Sequence, residues 1–288
     1  MGLNTIYGGS GFMFKNLGKK RSEVRARRKI EQYEHEHSNA WPMSESPAPL
    51  PVESTFDAFV QDFGGKKIAD LIANKSLMPL NADYFFEKHN VIAELKTLEG
   101  IYSGPSAFKQ LVQAYIDSGC TGSDVMGLIW REEDVPEIVA TLIRKRIRRS
   151  IEQRIKQARK QLRKSRSTFG SDDTRCLILV AMDQQPLFGH KTMLFNLAKI
   201  MGDNYADEHT DCVVYFNPNM PTKIRPDGME FSGWYPFYRD NEVNRELSEF
   251  VNLLGNKWLQ YYGKRTGQIN PILMLENFDE MVVVLDGQ

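Results

Sequence analysis

What the chain lacks sets the first bounds. Its 288 residues include only three cysteines, Cys120, Cys176 and Cys212, odd in number and widely spaced. Neither a disulfide framework nor a zinc knuckle is expected from them. No apolar run approaches the roughly 18 residues that a membrane helix needs, and the N-terminus has no signal-peptide h-region. A cytoplasmic setting with no membrane partner is therefore expected. The start MGLNTI puts Ile6 where a myristoylation signal needs Ser or Thr. The Gly-x4-Gly-Lys-Thr frame of a phosphate loop is missing, and Gly189-His190-Lys191-Thr192 resembles one only superficially. Internal repeats are missing as well. Net charge is also lacking, because 37 basic and 37 acidic side chains cancel.

What is present describes a globular chain. Hydrophobic residues make up 41% and charged residues 26%, enough apolar material for a core in one large domain or two small ones. The zero charge conceals a segregation. Arg144 to Arg166 holds twelve Lys/Arg and a single acid, Glu152; without that stretch the chain has 25 basic and 36 acidic residues, a net charge of −11. A second basic cluster, Lys15 to Lys29, holds eight Lys/Arg against Glu23 alone. Charge sorted in this way points to a polyanionic partner or to an internal acid–base clasp.

Residues 1–50 read as an arm: glycine-rich at first, then basic, then the polar and proline-punctuated EHEH and SESPAPLP. His35 and His37 in that arm are expected to be solvated. From residue 51 to 288 the texture is that of an α/β domain. TFDAFVQDF and KKIADLIANK carry apolar residues at helical spacing, interrupted at Gly64-Gly65, which predicts two short helices. ADYFFE and NVIAELKTL, joined by Lys88-His89-Asn90, predict a β-hairpin. SAFKQLVQAYIDSG predicts a helix, and DVPEIVATLI is expected to run into the basic helix, so a helical insertion is expected over about residues 100–170. RCLILVAMD and CVVYFNP read as buried strands, and the stretches from Gly189 and from Glu242 as amphipathic helices. PILMLENFDEMVVVLD closes the chain with strand-like runs.

The hairpin carries the chemistry. Asp83 lies on its first strand; Glu94 and Lys96 lie on its second and project from one face, because side chains on a strand alternate. Pairing about the turn brings Asp83 level with Glu94 or Lys96, where facing Cβ atoms stand about 5 Å apart. Acid-x-Lys occurs once in the chain, in the middle of an apolar strand where charge is costly unless paired or functional. Two converging carboxylates suit a hard cation such as Mg²⁺, which keeps water and welcomes phosphate oxygens. The bland alternative is an edge hairpin with a surface ion pair.

Pro79-Leu-Asn-Ala-Asp83 followed by Glu94-Leu95-Lys96 resembles the active site of the PD-(D/E)xK nuclease superfamily, which includes restriction endonucleases. The resemblance implies a restriction-endonuclease-like mixed sheet flanked by helices, with a core of helix, three strands, helix and strand. RCLILVAMD would be the third strand, after about 75 residues of helix. It further implies a nuclease that hydrolyses phosphodiester bonds, of DNA more than RNA, and that suits anti-phage defence or DNA processing. Asp83 and Glu94 would hold Mg²⁺, or Mn²⁺ in its place, and Lys96 would assist the attacking water. Glu53, Asp62 and Asp70 are options for a further acid. Gln110, Gln113 and Tyr115 stand on a helix after the motif, where some members touch nucleic acid.

The basic helix is expected to pack by a narrow stripe of Ile147, Ile151, Ile155, Ala158 and Leu162. Its Arg144, Lys145, Arg148, Arg149, Lys156, Arg159, Lys160 and Arg163 are the candidate contacts to the nucleic-acid backbone. The rival reading is a non-catalytic nucleic-acid-binding or assembly protein on the same scaffold. A homo-oligomer or another protein could then occupy the basic helix.

Overall fold

A computed structural model describes residues 50–72, 81–98, 137–182, 190–204, 210–219, 222–223, 230–239, 244–267 and 272–274, with isolated positions between 109 and 119. The expected arm falls outside the described residues, Leu50 excepted, as do Cys120, His209 and most of the stretch 99–136. Among that stretch, residues 109, 112, 113, 116 and 117 are helical.

Helix α1 (Val52–Phe63) forms because Val52, Phe56, Phe59 and Val60 repeat at helical spacing and all four are buried. It stops at Gly64, whose φ of 92° lies in the left-handed region that glycine enters without penalty. Gly65 then lets the chain pass against Phe86, where an added Cβ would sit 2.7 Å from a ring carbon. The second expected helix is only partly there. Lys66 and Lys67 instead form strand β1, and α2 (Ile68–Leu71) is a single turn.

The hairpin follows as expected: β2 (Tyr84–Phe86), a 3₁₀ turn over Glu87–His89, and β3 (Val91–Thr97). Asn90 closes it at φ 51°, a conformation that asparagine tolerates better than most residues. Helix α3 (Glu137–Phe169) leads to β4 (Arg175–Ala181), α4 (His190–Asn204) to β5 (Cys212–Phe216), and β6 (Thr222–Lys223) and β7 (Glu230–Tyr238) precede α5 (Arg245–Thr266) and β8 (Ile272–Met274). The sheet order is β1-β2-β3-β4-β5-β7-β6, with β8 on β7. β1, β2 and β3 form an antiparallel meander, β3, β4 and β5 are parallel, and β7 runs antiparallel to β5.

Mixed α/β architecture with flanking helices is therefore what the sequence implied, but two details of the expectation are corrected. The third strand of the meander is β1, ahead of the hairpin; RCLILVAMD forms β4, parallel to β3. The basic helix does not stand in an insertion: it packs on β3 and β4 as the crossover that two adjacent parallel strands require. β7 was not foreseen, because Gly233 and Pro236 read as strand breakers. Among the described residues, pairing with β8 ends at Trp234, and at Pro236 the neighbour is β5.

Alternation gives the sheet two unlike faces. Ala93, Leu95, Leu177, Leu179, Ala181, Val214, Phe216 and Trp234 pack under α1 and α5. There Phe56 meets Trp258 at 4.8 Å and Phe216 meets Trp234 at 4.9 Å between ring centroids. Each such buried aromatic pair adds about 1 kcal/mol beyond area burial. The opposite face, with Glu94, Lys96, Ile178, Val180, Val213 and Tyr215, lies under α3 and α4. Ile151, Ile155, Ala158 and Leu162 of α3 are buried there, four of the five stripe residues expected; the Ile147 side chain is outside the described set. No helix among the described residues is long and apolar enough to cross a membrane.

Candidate active site

Backbone pairing decides which side chains meet. Tyr84 lies opposite Ala93, so the next pair toward the open end of the hairpin is Asp83 and Glu94. The pair is held from both sides. Ile68 N–H donates to the Asp83 carbonyl at 2.9 Å, and Ala82 N–H donates to Ser165 Oγ of α3 at 2.7 Å. At the closed end, Thr174 Oγ1 donates to Asn90 Oδ1 at 2.7 Å and ties the turn to the start of β4. Rigid strands thus present the three groups named from the sequence.

Their environments differ. Glu94 is wholly buried, Asp83 is half-buried, and the Lys96 side chain is 15% exposed. Asp83 Oδ2 accepts from Leu95 N–H at 2.8 Å. Lys96 Nζ is ion-paired with Glu94 Oε1 and donates to Gln161 Oε1 of α3 at 2.9 Å. Gln161 in turn donates through Nε2 to the Asn81 carbonyl at 2.9 Å. The contact with Lys96 is not aligned as a hydrogen bond, so neither Glu94 oxygen has a hydrogen-bond partner among the described residues.

Burial dominates the electrostatics. Loss of solvent pushes the Glu94 carboxyl up to about 8; the neighbouring Asp83 charge adds to the rise and Lys96 opposes it. Asp83 is also raised by burial, against the Leu95 N–H bond and the Lys96 charge that pull it down. Near neutral pH burial and the Asp83 charge favour the protonated form of Glu94. Exposed Glu53, in the first turn of α1, lies near enough to push Asp83 further upward. Of the two other acids considered, Asp70 is felt by Lys67 instead, and Asp62 is an exposed residue of α1.

This donor set fits a hard divalent cation. Two carboxyl groups raised by burial, one of them raised further by the charge of the other and with neither oxygen hydrogen-bonded among the described residues, are relieved by a centre of positive charge with oxygen affinity. Among the described residues no cluster of three or more His, Cys, Asp and Glu offers a metal site, so such an ion would rely on these two carboxylates, water and backbone or substrate oxygens.

The basic residues of α3 divide by direction. Lys145, Arg149, Lys156, Lys160 and Arg163 are exposed and lie on the side of the helix away from its buried stripe. Arg148 is ion-paired with Glu152 at 2.9 Å. Arg159 is half-buried, and the Arg144 side chain is outside the described residues. Gln113 is exposed and donates to Asp117 at 2.9 Å; Gln110 and Tyr115 are not among the described residues. His190 is buried, its Nδ1 3.2 Å from Tyr215 Oη. Sequence reasoning missed Gln161 and Ser165. Their signal was available: uncharged polar residues four apart, bordering the apolar stripe of an otherwise highly charged helix.

No protein-family model, no curated protein and no solved structure matches the chain.

Proposed function

We propose that the chain is a metal-dependent nuclease with a restriction-endonuclease-like core, cleaving phosphodiester bonds of nucleic acid, DNA in preference to RNA. The observation that carries this reading is the meeting of Asp83, Glu94 and Lys96 on one face of a paired hairpin. A carboxyl raised to about 8 in an enclosed site is uncommon in purely structural ion pairs and frequent where chemistry is done. The chain order supports the reading too. Apart from the single turn at α2, it runs helix, three strands, helix, strand, the order of the resembled family's core.

In this reading Asp83 and Glu94 would hold Mg²⁺, or Mn²⁺, which would supply an activated water and neutralise charge on the phosphate. Glu94 would serve as a ligand in its carboxylate form, and its burial would keep solvent from competing for it. Gln161 fixes the Lys96 ammonium beside the scissile phosphate, where it orients the water and stabilises the pentavalent charge. The exposed ridge of α3 attracts nucleic acid over distance, with a salt-sensitive and sequence-independent pull.

The test is incubation of the purified protein with plasmid, single-stranded DNA and RNA, in Mg²⁺, Mn²⁺ or chelator. Metal-dependent cleavage that disappears in Asp83→Asn and Lys96→Ala, with unchanged circular dichroism, is expected. Full cleavage by both variants, or none by the wild type on any substrate, would overturn the proposal. The outward direction of Lys145, Arg149, Lys156, Lys160 and Arg163 favours a second reading, a non-catalytic nucleic-acid-binding protein. It predicts binding without any metal-dependent product.

A further inference from the structure

Four residues of α3 form a seam over the hairpin: Ser150, Arg154, Gln161 and Ser165. Their spacing of four, seven and four keeps them on one flank of the helix, between the buried stripe and solvent. Three of them touch the hairpin or the residues leading into it. Ser165 receives Ala82 N–H, Gln161 holds Lys96 and the Asn81 carbonyl, and Arg154 Nε donates to the Thr97 carbonyl at 3.3 Å. Ser150 secures the far side of the guanidinium, with Arg154 Nη1 2.9 Å from its Oγ. Arg154 is half-buried, and among the described residues its Nη2 has no partner. Two other arginines of this helix are committed elsewhere. Arg148 is bound to Glu152, and Arg166 to the Ser171 and Asp172 carbonyls.

We infer that Arg154 is a phosphate-gripping residue of the site, receiving a backbone phosphate of the strand whose neighbouring phosphate lies at Lys96. The inference rests on the nuclease reading and adds a residue that the charge count alone did not single out. A guanidinium with Nε and one face of Nη1 pinned presents the remaining Nη1 and Nη2 hydrogens end-on, the fork that matches two phosphate oxygens. Preorganisation matters because an arginine otherwise surrenders about 2 kcal/mol of rotamer entropy when it is fixed. The geometry also has the right reach. Seven residues separate Arg154 from Gln161, about 10 Å along the helix axis, more than the rise of about 3.4 Å per nucleotide, so the two side chains meet different phosphates of one strand. Arg154 lies at the end of β3 where that strand leaves the sheet, on the path of a backbone leaving Lys96. The exposed ridge, by contrast, points away from the sheet and cannot grip the phosphates next to the scissile one.

The experiment measures binding of a defined duplex and of a single-stranded oligonucleotide by the full chain in chelator, as a function of salt. Arg154→Gln is compared with Lys257→Ala, which removes an exposed charge from α5 on the other side of the sheet. Arg154→Gln is expected to flatten the plot of log K against log salt by about 0.9 on the duplex and about 0.7 on the single strand, while Lys257→Ala leaves it unchanged. Arg154→Met, which keeps the aliphatic stem, is the second variant should the glutamine fail to fold, and carries the same expectation. A folded Arg154 variant with an unaltered slope overturns the inference and reduces the residue to a staple on Thr97. If the wild type proves unable to cleave while the slope still falls, the phosphate contact stands and the nuclease reading fails.

Discussion

Replacing Glu94 by glutamine should make the protein more stable, and increasingly so as pH rises. The folded Glu94 carboxyl titrates near 8, against an ordinary value of 4.5. Between those limits the folded chain holds a proton that the unfolded chain has released. Stability therefore falls with rising pH: the contribution is fully present below about 4.5, drains away through neutrality and is gone above 8. A rise of that size at about 1.4 kcal/mol per unit amounts to about 3–5 kcal/mol, and Glu94 is too deeply buried for solvent to screen much of it. A glutamine there would be neutral throughout and fill the same space. Urea unfolding in chelator at pH 5, 6, 7 and 8.5 measures the difference. With a slope of about 3 kcal/mol per molar, the variant's midpoint should exceed that of the wild type at pH 8.5 by about 1 M more than it does at pH 5. Asp83→Asn provides an internal control, since the Asp83 charge is the second cause of the Glu94 shift; the wild-type loss should then finish at lower pH. Parallel pH profiles for Glu94→Gln and wild type would refute the argument that Glu94 is a buried, proton-bearing carboxyl.

Two further outcomes concern the scaffold that holds the site. Ser165→Ala leaves the Ala82 N–H buried without its acceptor and should cost about 1–3 kcal/mol, read as a lower urea midpoint with Glu94→Gln pH behaviour unaffected. Gly255→Ala on α5 puts a Cβ 2.6 Å from the Trp234 ring, so overpacking of about 1–3 kcal/mol should outweigh the helix propensity gained, and thermal melting would show it.

The site was legible because strand physics is local. Alternation fixed that Glu94 and Lys96 share a face, and the Lys88-His89-Asn90 turn placed Asp83 level with Glu94 or Lys96, of which the strand register selects Glu94; both rest on residues close in the chain. The burial of Glu94 was legible in Val91, Ile92, Ala93 and Leu95 around it. What sequence did not reveal depends on partners distant in the chain. Lys66 and Lys67 have poor strand propensity and become β1 only because the Phe85 and Tyr84 backbones offer them partners. Nothing local says that β4 pairs parallel to β3, and without that pairing the basic helix looks like an excursion instead of a crossover. Gln161 and Arg154 reach the site from 65 and 57 residues away.

The unlike faces of the sheet explain how such a site can persist. Near neutral pH the Asp83–Glu94 pair opposes folding, since burial raises both carboxyls and the Asp83 charge raises Glu94 further. Its penalty of a few kcal/mol is comparable with the whole net stability of about 5–15 kcal/mol of an ordinary domain. The compensation lies on the other face of the same strand, one residue away. Ala93 and Leu95 share the cluster with Phe56, Phe216, Trp234 and Trp258, and fully burying one large apolar side chain contributes about 1.5–3 kcal/mol. β3 is thus gripped from below by an apolar layer that has no need of its polar face. The proposed divalent cation would act on the remaining imbalance: at one hundred times its dissociation constant it would add about 2.7 kcal/mol to the folded state, the same order as the penalty it would relieve.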